Sequence, residues 1–319
     1  MKKPYLVVNP RSGDRATARH FDEIAAAVRG SLGECEHGFT EGPRHATELT
    51  RAALRSGADL VVAIGGDGTI NEVVNGFFEP LRLGEAPRPI APGVALAILP
   101  RGTGGDFRRT LGLDGELAKS AARLRGEARR VDLGRVDYTE RGGALASRLF
   151  INVSGAGVGA RIVAISNAGS KVLGGKLTFL LASLRGLAGW TDVRIRAILD
   201  DGPAEELSIT SFSVANGRFF GGGMEVAPGA RIDDGIFHVT IWSGFGLGDF
   251  ILKAGRMYDG SHVKLAGTRV ATAKTVRLAP GAAARVGASA EVAVEADGEE
   301  LGHLPADFTI LPGALSLLS

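Results

Sequence analysis

The sequence predicts an α/β domain with a doubly wound parallel sheet, followed by an antiparallel β-sandwich domain. In roughly the first 130 residues, short apolar runs alternate with segments whose apolar residues recur at helical spacing, a pattern typical of parallel βα units. From about Arg130 onward, runs with period-2 alternation are separated by hairpin turns, which favours antiparallel pairing. The 319 residues are enough for two domains. We expect an α/β domain over residues 1–131, a sandwich over 132–304 and a tail over 305–319 that packs back on the first domain.

Composition narrows the class of protein. A hydrophobic content of 45% with 23% charged residues is ordinary for a globular protein, and a net charge of +2 argues against a general nucleic-acid binder. The single cysteine excludes an internal disulfide framework and favours a reducing cytoplasm. The N-terminus, MKKPYLVVNPRSG, predicts a first strand rather than a signal peptide, and no run approaches the roughly 20 apolar residues of a membrane span. We therefore expect a cytoplasmic protein.

The elements of the first domain follow in order. The apolar runs predict four strands, and the segments of helical spacing predict two helices, the first ended by Gly30. The strands are Tyr5–Val8, Glu34–Phe39, Leu60–Ile64 and Ala95–Leu99, and the helices are Ala16–Val28 and Pro43–Arg55.

Polar or glycine-rich segments follow each of these strands. They are Asn9–Gly13, Thr40, Gly65–Thr69 and Gly102–Asp106. In a parallel sheet, ligands bind at the carboxyl ends of the strands, where such segments meet. The sequence therefore predicts one ligand crevice built from four loops.

The segment VVAIGGDGTINEVVNG predicts a strand, a glycine turn and a helix. Three glycines around Asp67 permit positive φ and close backbone approach, so several N–H groups can face an anion. This favours a phosphate loop over a plain βα turn. The chain contains neither a G-x-x-x-x-G-K-[ST] loop nor a G-x-G-x-x-G fingerprint in that crevice. A nucleotide site without the loop lysine depends more on backbone amides and on Mg²⁺. Asp67 and Asp106 are candidate Mg²⁺ ligands, and the alternative role for each is in a turn or as a helix cap.

The second half predicts the sandwich and a basic helix. Between Glu140 and Asp192 every charged residue is positive, and Leu173–Trp190 is rich in leucine. Such a helix suits either contact with an anionic membrane or a cover over the sandwich, and both remain open. Gly155–Ala160 fits G-x-G-x-x-A, but the expected downstream acid is missing, which argues against a dinucleotide site. The predicted strands are Arg130–Tyr138, Leu149–Val153, Arg194–Leu199, Ser208–Ala215, Ile236–Trp242, Thr275–Leu278 and Glu291–Glu295.

Several motifs in this order resemble a known family. Asn9-Pro10-x-Ser12-Gly13, Gly65-Gly66-Asp67-Gly68-Thr69 with Asn71-Glu72, and Leu99-Pro100-x-Gly102-Thr103-x-x-Asp106-Phe107 are similar to the catalytic domain of diacylglycerol kinases. Asn216-Gly217, Gly221-Gly222-Gly223-Met224, Ala227–Gly235 and Asp297-Gly298-Glu299 extend the resemblance over nearly the whole chain, to the soluble bacterial diacylglycerol kinases and related lipid kinases. That family usually has Asn where this chain has Gly105.

The resemblance implies ATP and Mg²⁺ as cofactors and a lipid hydroxyl as the acceptor, diacylglycerol first. Glu299 would be the general base, with Asp297 beside it. Asp67, Asp106 and Asp132 would hold Mg²⁺ through water, and a structural Mg²⁺ would bind the Asp234 side chain and the carbonyls of Arg231 and Ile236. The nucleotide would meet Asn9, Arg11, Ser12, Gly13, Thr40, Gly65, Gly66, Asp67, Gly68, Thr69, Asn71, Glu72, Gly102 and Thr103.

Alternatives remain. A sphingoid base, ceramide or glycolipid is another acceptor, an NAD kinase is disfavoured by the late acidic motif, and a non-enzymatic nucleotide or lipid sensor is a rival of another class. From the residues alone, Asp132 is also compatible with an acid at the start of a strand. The acids of Ala230–Phe237 and the Asp-Gly turn at 297 are compatible with ordinary turns. We expect a lipid partner at the membrane surface, peripheral contact with the inner face of the membrane and no nucleic acid. A homodimer is left open.

Overall fold

The computed structural model describes residues 3–13, 15–102, 104–113, 115–169, 175–282 and 291–318. It divides into two compact units: one comprises the chain up to Val131 together with the residues from Gly313, and the other is Asp132–Pro312. The predicted nucleotide contact at Thr103 and residues 173–174 of the segment predicted as the basic helix lie outside the described residues.

The first unit contains a parallel sheet with helices packed on it. The strand order is β4-β3-β1-β2, and residues 316–318 add a further parallel strand beside β4. All six residues of β3 are buried, as expected for a strand covered on both faces. This confirms the predicted α/β fold. The strands are Pro4–Val8 (β1), Glu36–Phe39 (β2), Leu60–Gly65 (β3) and Ala95–Pro100 (β4), and the helices are Ala16–Arg19 (α1), Phe21–Leu32 (α2), His45–Arg55 (α3), Asp67–Gly76 (α4), Asp106–Thr110 (α5) and Leu117–Arg123 (α6).

The first predicted helix differs from the structure at both its interior and its end. It is interrupted at His20, and α2 continues through Gly30 to Leu32, so the predicted stop at Gly30 is wrong. A helical glycine costs only about 1 kcal/mol relative to alanine. Burial of Ile24, Ala25 and Val28 offsets that cost, and the helix ends instead at Gly33, whose φ is +83°.

The second unit is an antiparallel β-sandwich. One layer has the order β12-β11-β10-β7-β14-β15. Strand β15 also pairs with β13, and β13, β8 and β9 follow one another in that order. In addition, β15 pairs with β5, which pairs with β6. The core includes Phe150 and Phe237, which stack with ring centroids 5.7 Å apart. This confirms the predicted sandwich. The strands are Ala128–Thr139 (β5), Leu145–Phe150 (β6), Val153–Gly157 (β7), Val193–Leu199 (β8), Glu205–Ile209 (β9), Ser211–Ala215 (β10), Phe237–Trp242 (β11), Thr268–Ala273 (β12), Thr275–Pro280 (β13), Ala293–Ala296 (β14) and Glu299–Leu318 (β15).

Three helices cover part of the sandwich: Val158–Ala168 (α7), Gly175–Leu187 (α8) and Leu247–Tyr258 (α9). The first of these and α9 were not predicted, nor was β12. Among the described residues, no helix combines the length and the apolar character that crossing a membrane requires.

Two of the predicted strands are wrong. Leu149–Val153 spans the break between β6 and β7, and Ser208–Ala215 is divided at Thr210. Of the three glycines in Gly155–Ala160, Gly155 and Gly157 lie within β7 and Gly159 lies in α7. A Cβ on Gly155 would come within 2.4 Å of the carbonyl oxygen of Phe212, so glycine is required there by the close approach of β10.

Candidate active site

In the first unit, the loops that follow β1, β3 and β4 are in direct contact. The Asn9 side chain donates from Nδ2 to Thr69 Oγ1 at 2.9 Å, and the Arg101 amide donates to the Gly65 carbonyl at 2.8 Å. A Cβ on Gly13, whose φ is +60°, would lie 2.8 Å from the Arg101 carbonyl oxygen. Parallel pairing puts the ends of all these strands at one edge of the sheet, and the structure brings the three loops together there.

Glycine is required where two of these loops meet. A Cβ on Gly102 would be 2.5 Å from the Cα of Gly66, so the two backbones touch. Gly66 is extended and begins α4, a helix of ten residues. The first N–H groups of a helix lack acceptors within the helix and carry its positive dipole end, so this edge can hold an anion such as a phosphate group.

Asp67 connects the second loop to α5. Its two carboxylate oxygens accept the amides of Asp106 and Phe107, each at 3.1 Å. Asp106 is buried, and its Oδ1 pairs with Arg109 Nη1 at 3.0 Å, while Arg109 also donates to the Gly104 carbonyl. The helix-cap alternative for Asp67 is therefore realised, although on α5 rather than on its own helix.

The donor chemistry of this loop cluster fits Mg²⁺. A carboxylate offers about four lone-pair sites, of which the two amide bonds to Asp67 use two. Carboxylates with waters and phosphate oxygens are the ligands that Mg²⁺ prefers. Within the described ranges there is no cluster of three or more His, Cys, Asp or Glu side chains that could bind a metal by themselves. A metal at Asp67 and Asp106 would therefore depend on water and phosphate for its remaining ligands.

The substitution at Gly105 has a backbone explanation. Its φ is +65° and it precedes α5 directly. Only glycine, and to a lesser extent asparagine and aspartate, adopts this left-handed conformation readily. Glycine therefore suits the left-handed backbone that this position has just before α5.

The other predicted nucleotide residues divide into two groups. Ser12 and Arg11 bond within their own loop, and Thr40 follows β2, its amide bonded to Val8. Glu72, by contrast, accepts the amides of Arg44 and Ala46 at 2.8 and 3.0 Å, and so caps α3. Asn71 is buried, and its Oδ1 accepts from Asn75 Nδ2. The described contacts of Asn71 and Glu72 are structural.

In the second unit, Asp297 anchors the acidic turn. Its φ is +48°, and its carboxylate accepts three backbone amides, from Ile151 and Asn152 at 2.9 Å and from Val153 at 3.1 Å. These residues join β6 to β7. Asp297 therefore holds the turn against the neighbouring strands, and its geometry is that of a positioning group rather than of a proton acceptor.

Glu299 begins β15 directly after this turn. Its Oε2 lies 3.0 Å from Arg148 Nη2, and its side chain is 38% exposed while that of Arg148 is 16% exposed. The exposed carboxylate can accept a proton from a hydroxyl that approaches it. Sequence reasoning assigned Arg148 no role; the acid-free interval around it was the only signal.

Glu295 was also missed. It is buried in β14, and its Oε2 accepts the Gly298 amide at 3.2 Å. The pKa of the Glu295 carboxyl is raised to about 8, chiefly by burial; the hydrogen bond from the Gly298 amide lowers it, and the charge of Asp297 makes a smaller contribution that raises it. No ion pair to Glu295 occurs among the described residues. A carboxyl that holds its proton near neutral pH therefore lies beneath the turn that carries Glu299.

The remaining predicted metal residues meet in one turn of the second unit. Asp132 is buried and accepts the Gly235 amide at 2.7 Å through Oδ2. Asp234 accepts the Ile236 amide at 3.3 Å and faces His238 Nε2 at 3.2 Å. A carboxylate and carbonyls are suitable Mg²⁺ ligands, but a metal at Asp234 would compete with the His238 contact. The observed bonds of Asp132 tie this turn to β5.

An apolar cavity lies beside α7 in the second unit. It has an empty volume of about 390 Å³, which includes open solvent at its mouth. Its walls come from α7, α8, α9 and the strand ends between them, and include Ile162, Phe179, Phe220, Trp242 and Met257. Such a lining suits a hydrocarbon chain.

Helix α7 links this cavity to the acidic turn. Val158 and Ile162 line the cavity, and Asn167 Nδ2, near the other end of the helix, donates to the Gly298 carbonyl at 3.0 Å. From Ile162 to Asn167 the helix rises about 7.5 Å. Helix α7 therefore contacts both the cavity and the turn that precedes Glu299.

Comparisons with known proteins agree with this arrangement. Residues 3–136 match the diacylglycerol kinase catalytic domain, and residues 152–319 match the YegS C-terminal NAD kinase beta sandwich-like domain. The chain is 29% identical to a diacylglycerol kinase of Bacillus subtilis (strain 168), over 98% of this chain and 94% of the relative. It is 33% identical to a probable YegS-like lipid kinase of Pseudomonas aeruginosa (strain UCBPP-PA14), over 61% of this chain and 58% of the relative.

A solved structure shares the fold. A diacylglycerol kinase from Bacillus anthracis str. Sterne superimposes with a TM-score of 0.69 at 22% identity, covering 99% of this chain and 96% of that one. The two family models together account for most of the sequence, and the second covers more than half of it. The chain therefore belongs to the family of diacylglycerol kinases and YegS-like lipid kinases.

Proposed function

We propose that this protein transfers the γ-phosphoryl group of ATP, with Mg²⁺, to the free hydroxyl of diacylglycerol. The observation that carries the choice of acceptor is the connection made by α7, which touches the Glu299 turn at one end and lines the apolar cavity at the other. A hydroxyl acceptor with hydrocarbon chains suits both features.

Glu299 acts as the general base. A neutral hydroxyl is a weak nucleophile until its proton is accepted, and a positioned carboxylate does this in other phosphoryl transfers. Arg148 pairs with the Glu299 carboxylate at 3.0 Å and limits its rotation. Asp297 holds the turn in place by accepting three amides, so that Glu299 keeps its position through the reaction.

The first unit binds the nucleotide. Amides at the start of α4 and in the loops after β1 and β4 donate to the phosphates, and Thr69, held by Asn9, adds a hydroxyl nearby. Asp67 and Asp106 would hold Mg²⁺, largely through water. An ion held there would supply positive charge that neutralises the charge developing on the phosphate oxygens.

The acceptor is a membrane lipid, so we also propose peripheral contact with the inner face of the membrane. Helix α8 supports this, because its residues Gly175–Leu187 include Lys176 and Arg185 but no acid. A sphingoid base, ceramide or a glycolipid has the same combination of hydroxyl and chain, and would be distinguished by identifying the product.

The test is an assay with radiolabelled ATP and a total lipid extract, followed by identification of the labelled product. We expect labelled phosphatidic acid, formed only with Mg²⁺. A labelled product other than phosphatidic acid would replace diacylglycerol as the acceptor. The absence of any labelled lipid would contradict the proposed reaction.

Two adjacent glutamates allow a matched test of the base. Glu299→Gln removes the proton acceptor but keeps the size of the side chain, and we expect kcat to fall about 10²–10⁴-fold while ATP binding is unchanged. Glu300→Gln removes an equal charge one residue away, where the carboxylate pairs with the exposed Arg141 at 2.6 Å, and should leave kcat within about twofold. Near-normal turnover of Glu299→Gln would show that another group accepts the proton.

A further inference from the structure

Exposed apolar side chains are concentrated on two neighbouring helices of the second unit. Eight large apolar residues are exposed among the described part of the chain, and four of them lie on α8 or α9: Leu177 (43%), Leu181 (37%), Ile251 (62%) and Leu252 (85%). The two helices pack against each other. We call these four residues the apolar rim.

The apolar rim lies on the helices that cover the cavity. On α8, Phe179 and Ser183 line the cavity, and Leu177 and Leu181 are exposed at neighbouring positions. On α9, Phe250 and Met257 line the cavity, while Ile251 and Leu252 face solvent. The inner faces of both helices are buried against the second unit, whereas the apolar rim leaves apolar surface on the outer face. A second apolar phase would bury that surface.

The outer face of α9 is shaped so that its apolar residues protrude. The exposed Gly248 and Gly255 lie four residues before and three residues after Leu252, so no side chain of either shields it. Lys253 and Arg256 follow on the same helix. The acid within α9, Asp249, forms an ion pair with Lys253, with Oδ1 and Nζ 2.5 Å apart.

Exposed basic residues border the rim on both helices, with Asp259 at the end of α9 as a nearby acid. Exposed Arg185 lies four residues beyond Leu181, on the same row of α8, and exposed Arg256 lies four residues beyond Leu252 on α9. Apolar side chains bordered by basic residues are typical of helices that lie in the interface of an anionic bilayer.

A second copy of the chain fits the rim less well than a bilayer does. At about 100 Å² for each fully exposed side chain, the four residues offer roughly 200–300 Å² of apolar surface. A stable interface buries about 800 Å² on each partner. The basic residues of two copies would also face each other across a dimer axis, whereas anionic headgroups would neutralise them.

We propose that the apolar rim inserts into the headgroup region of an anionic phospholipid bilayer and brings the mouth of the cavity to the membrane surface. This docking surface rests on the proposed function for the identity of the lipid that enters the cavity. The sequence indicated only the basic segment that contains α8; the second insertion element is α9, with Ile251 and Leu252 as its main contacts.

Vesicle flotation without ATP or diacylglycerol tests the proposal independently of catalysis. The vesicles contain equal parts of phosphatidylcholine and phosphatidylglycerol, or phosphatidylcholine alone. We expect Ile251→Gln/Leu252→Gln to weaken binding to the anionic vesicles on the order of 100-fold. The matched control is Leu145→Gln/Val270→Gln, which removes two apolar side chains of similar exposure, 60% and 55%, from strands of the same unit; it should bind as the wild type does.

A charge variant separates insertion from attraction. Arg185→Gln/Arg256→Gln should weaken binding to the anionic vesicles by about 30-fold and leave binding to phosphatidylcholine unchanged. Phosphorylation of water-dispersed dioctanoylglycerol should be retained by all these variants. If Ile251→Gln/Leu252→Gln fails to fold, the single variant Leu252→Gln serves, since that side chain is 85% exposed.

Three results would overturn the proposal: a wild-type protein that does not float with anionic vesicles, equal binding by wild type and Ile251→Gln/Leu252→Gln, or a change from dimer to monomer in that variant with vesicle affinity unaltered. A wild type that floats but phosphorylates no lipid would contradict the proposed reaction while supporting the docking surface.

Discussion

The buried carboxyl of Glu295 makes the stability of the second unit depend on pH. In the folded state burial raises its pKa to about 8, against 4.5 in the unfolded chain. Between these values, folding requires uptake of a proton, because the unfolded chain binds fewer protons than the folded one. The free energy of unfolding therefore falls as pH rises through this window, by about 1.4 kcal/mol per pH unit.

The perturbation is Glu295→Gln, which keeps an oxygen that can accept the Gly298 amide and removes the titration. At pH 7 the wild type has lost about 3 kcal/mol relative to acidic conditions in which both states are protonated. We expect the variant to be more stable than the wild type by up to that amount at pH 7 and about equally stable near pH 4. Its stability should be nearly flat where that of the wild type declines.

The assay is urea unfolding followed by tryptophan fluorescence at several pH values. The two tryptophans, Trp190 and Trp242, both lie in the second unit, so the signal reports that unit alone. Glu206→Gln, at an exposed glutamate of β9, is the control and should keep the wild-type pH profile. If Glu295→Gln follows the wild-type profile between pH 5 and 8, the carboxyl is ionised in the native protein and the reasoning is wrong.

Three further predictions concern the proposed reaction. Asp67→Asn removes the carboxylate that caps α5 and would hold Mg²⁺, so it should lower stability by about 1–2 kcal/mol and raise the Mg²⁺ concentration for half-maximal activity at least about tenfold. The control is Glu72→Gln, at the comparable cap of α3, which should lower stability alone. An unchanged Mg²⁺ response in Asp67→Asn would exclude the metal role. Gly159→Leu places a side chain in the cavity, where a Cβ meets only Ser211 Oγ at 3.5 Å. We expect kcat/KM to fall about tenfold for long-chain diacylglycerol and to change little for a short-chain substrate. The control is Gly30→Leu, at an exposed glycine of α2, and equal losses for both chain lengths would argue against chain binding in the cavity. Asp297→Asn replaces a carboxylate that accepts three amides by a side chain whose NH₂ group must face at least one of those amides. We expect a loss of about 1–3 kcal/mol in stability and a reduced kcat, with ATP binding retained. An undiminished kcat would show that Asp297 does not position Glu299.

Much of the fold follows from local patterns. The alternation of apolar runs and helical segments predicts the parallel sheet, and the period-2 runs predict the sandwich, because both patterns express which side chains a strand or helix must bury. The polar loops after β1, β3 and β4 were found in the same way, since parallel strands end at one edge. Boundaries were less certain. The break between β6 and β7 depends on amides that bind Asp297, 146 residues away from Ile151 in sequence.

The site shows the same division. The sequence by itself predicted the candidate residues: the glycines and Asp67 of the first unit, and Asp297 and Glu299 at the late turn. Only the tertiary structure decided what each does. In the structure, Asp67 and Glu72 cap helices, and Asp297 anchors the acidic turn. Arg148 pairs with Glu299, 151 residues away in sequence. It also buried Glu295 and exposed Leu252. Burial and pairing depend on which distant segments pack together, and local sequence patterns do not record that.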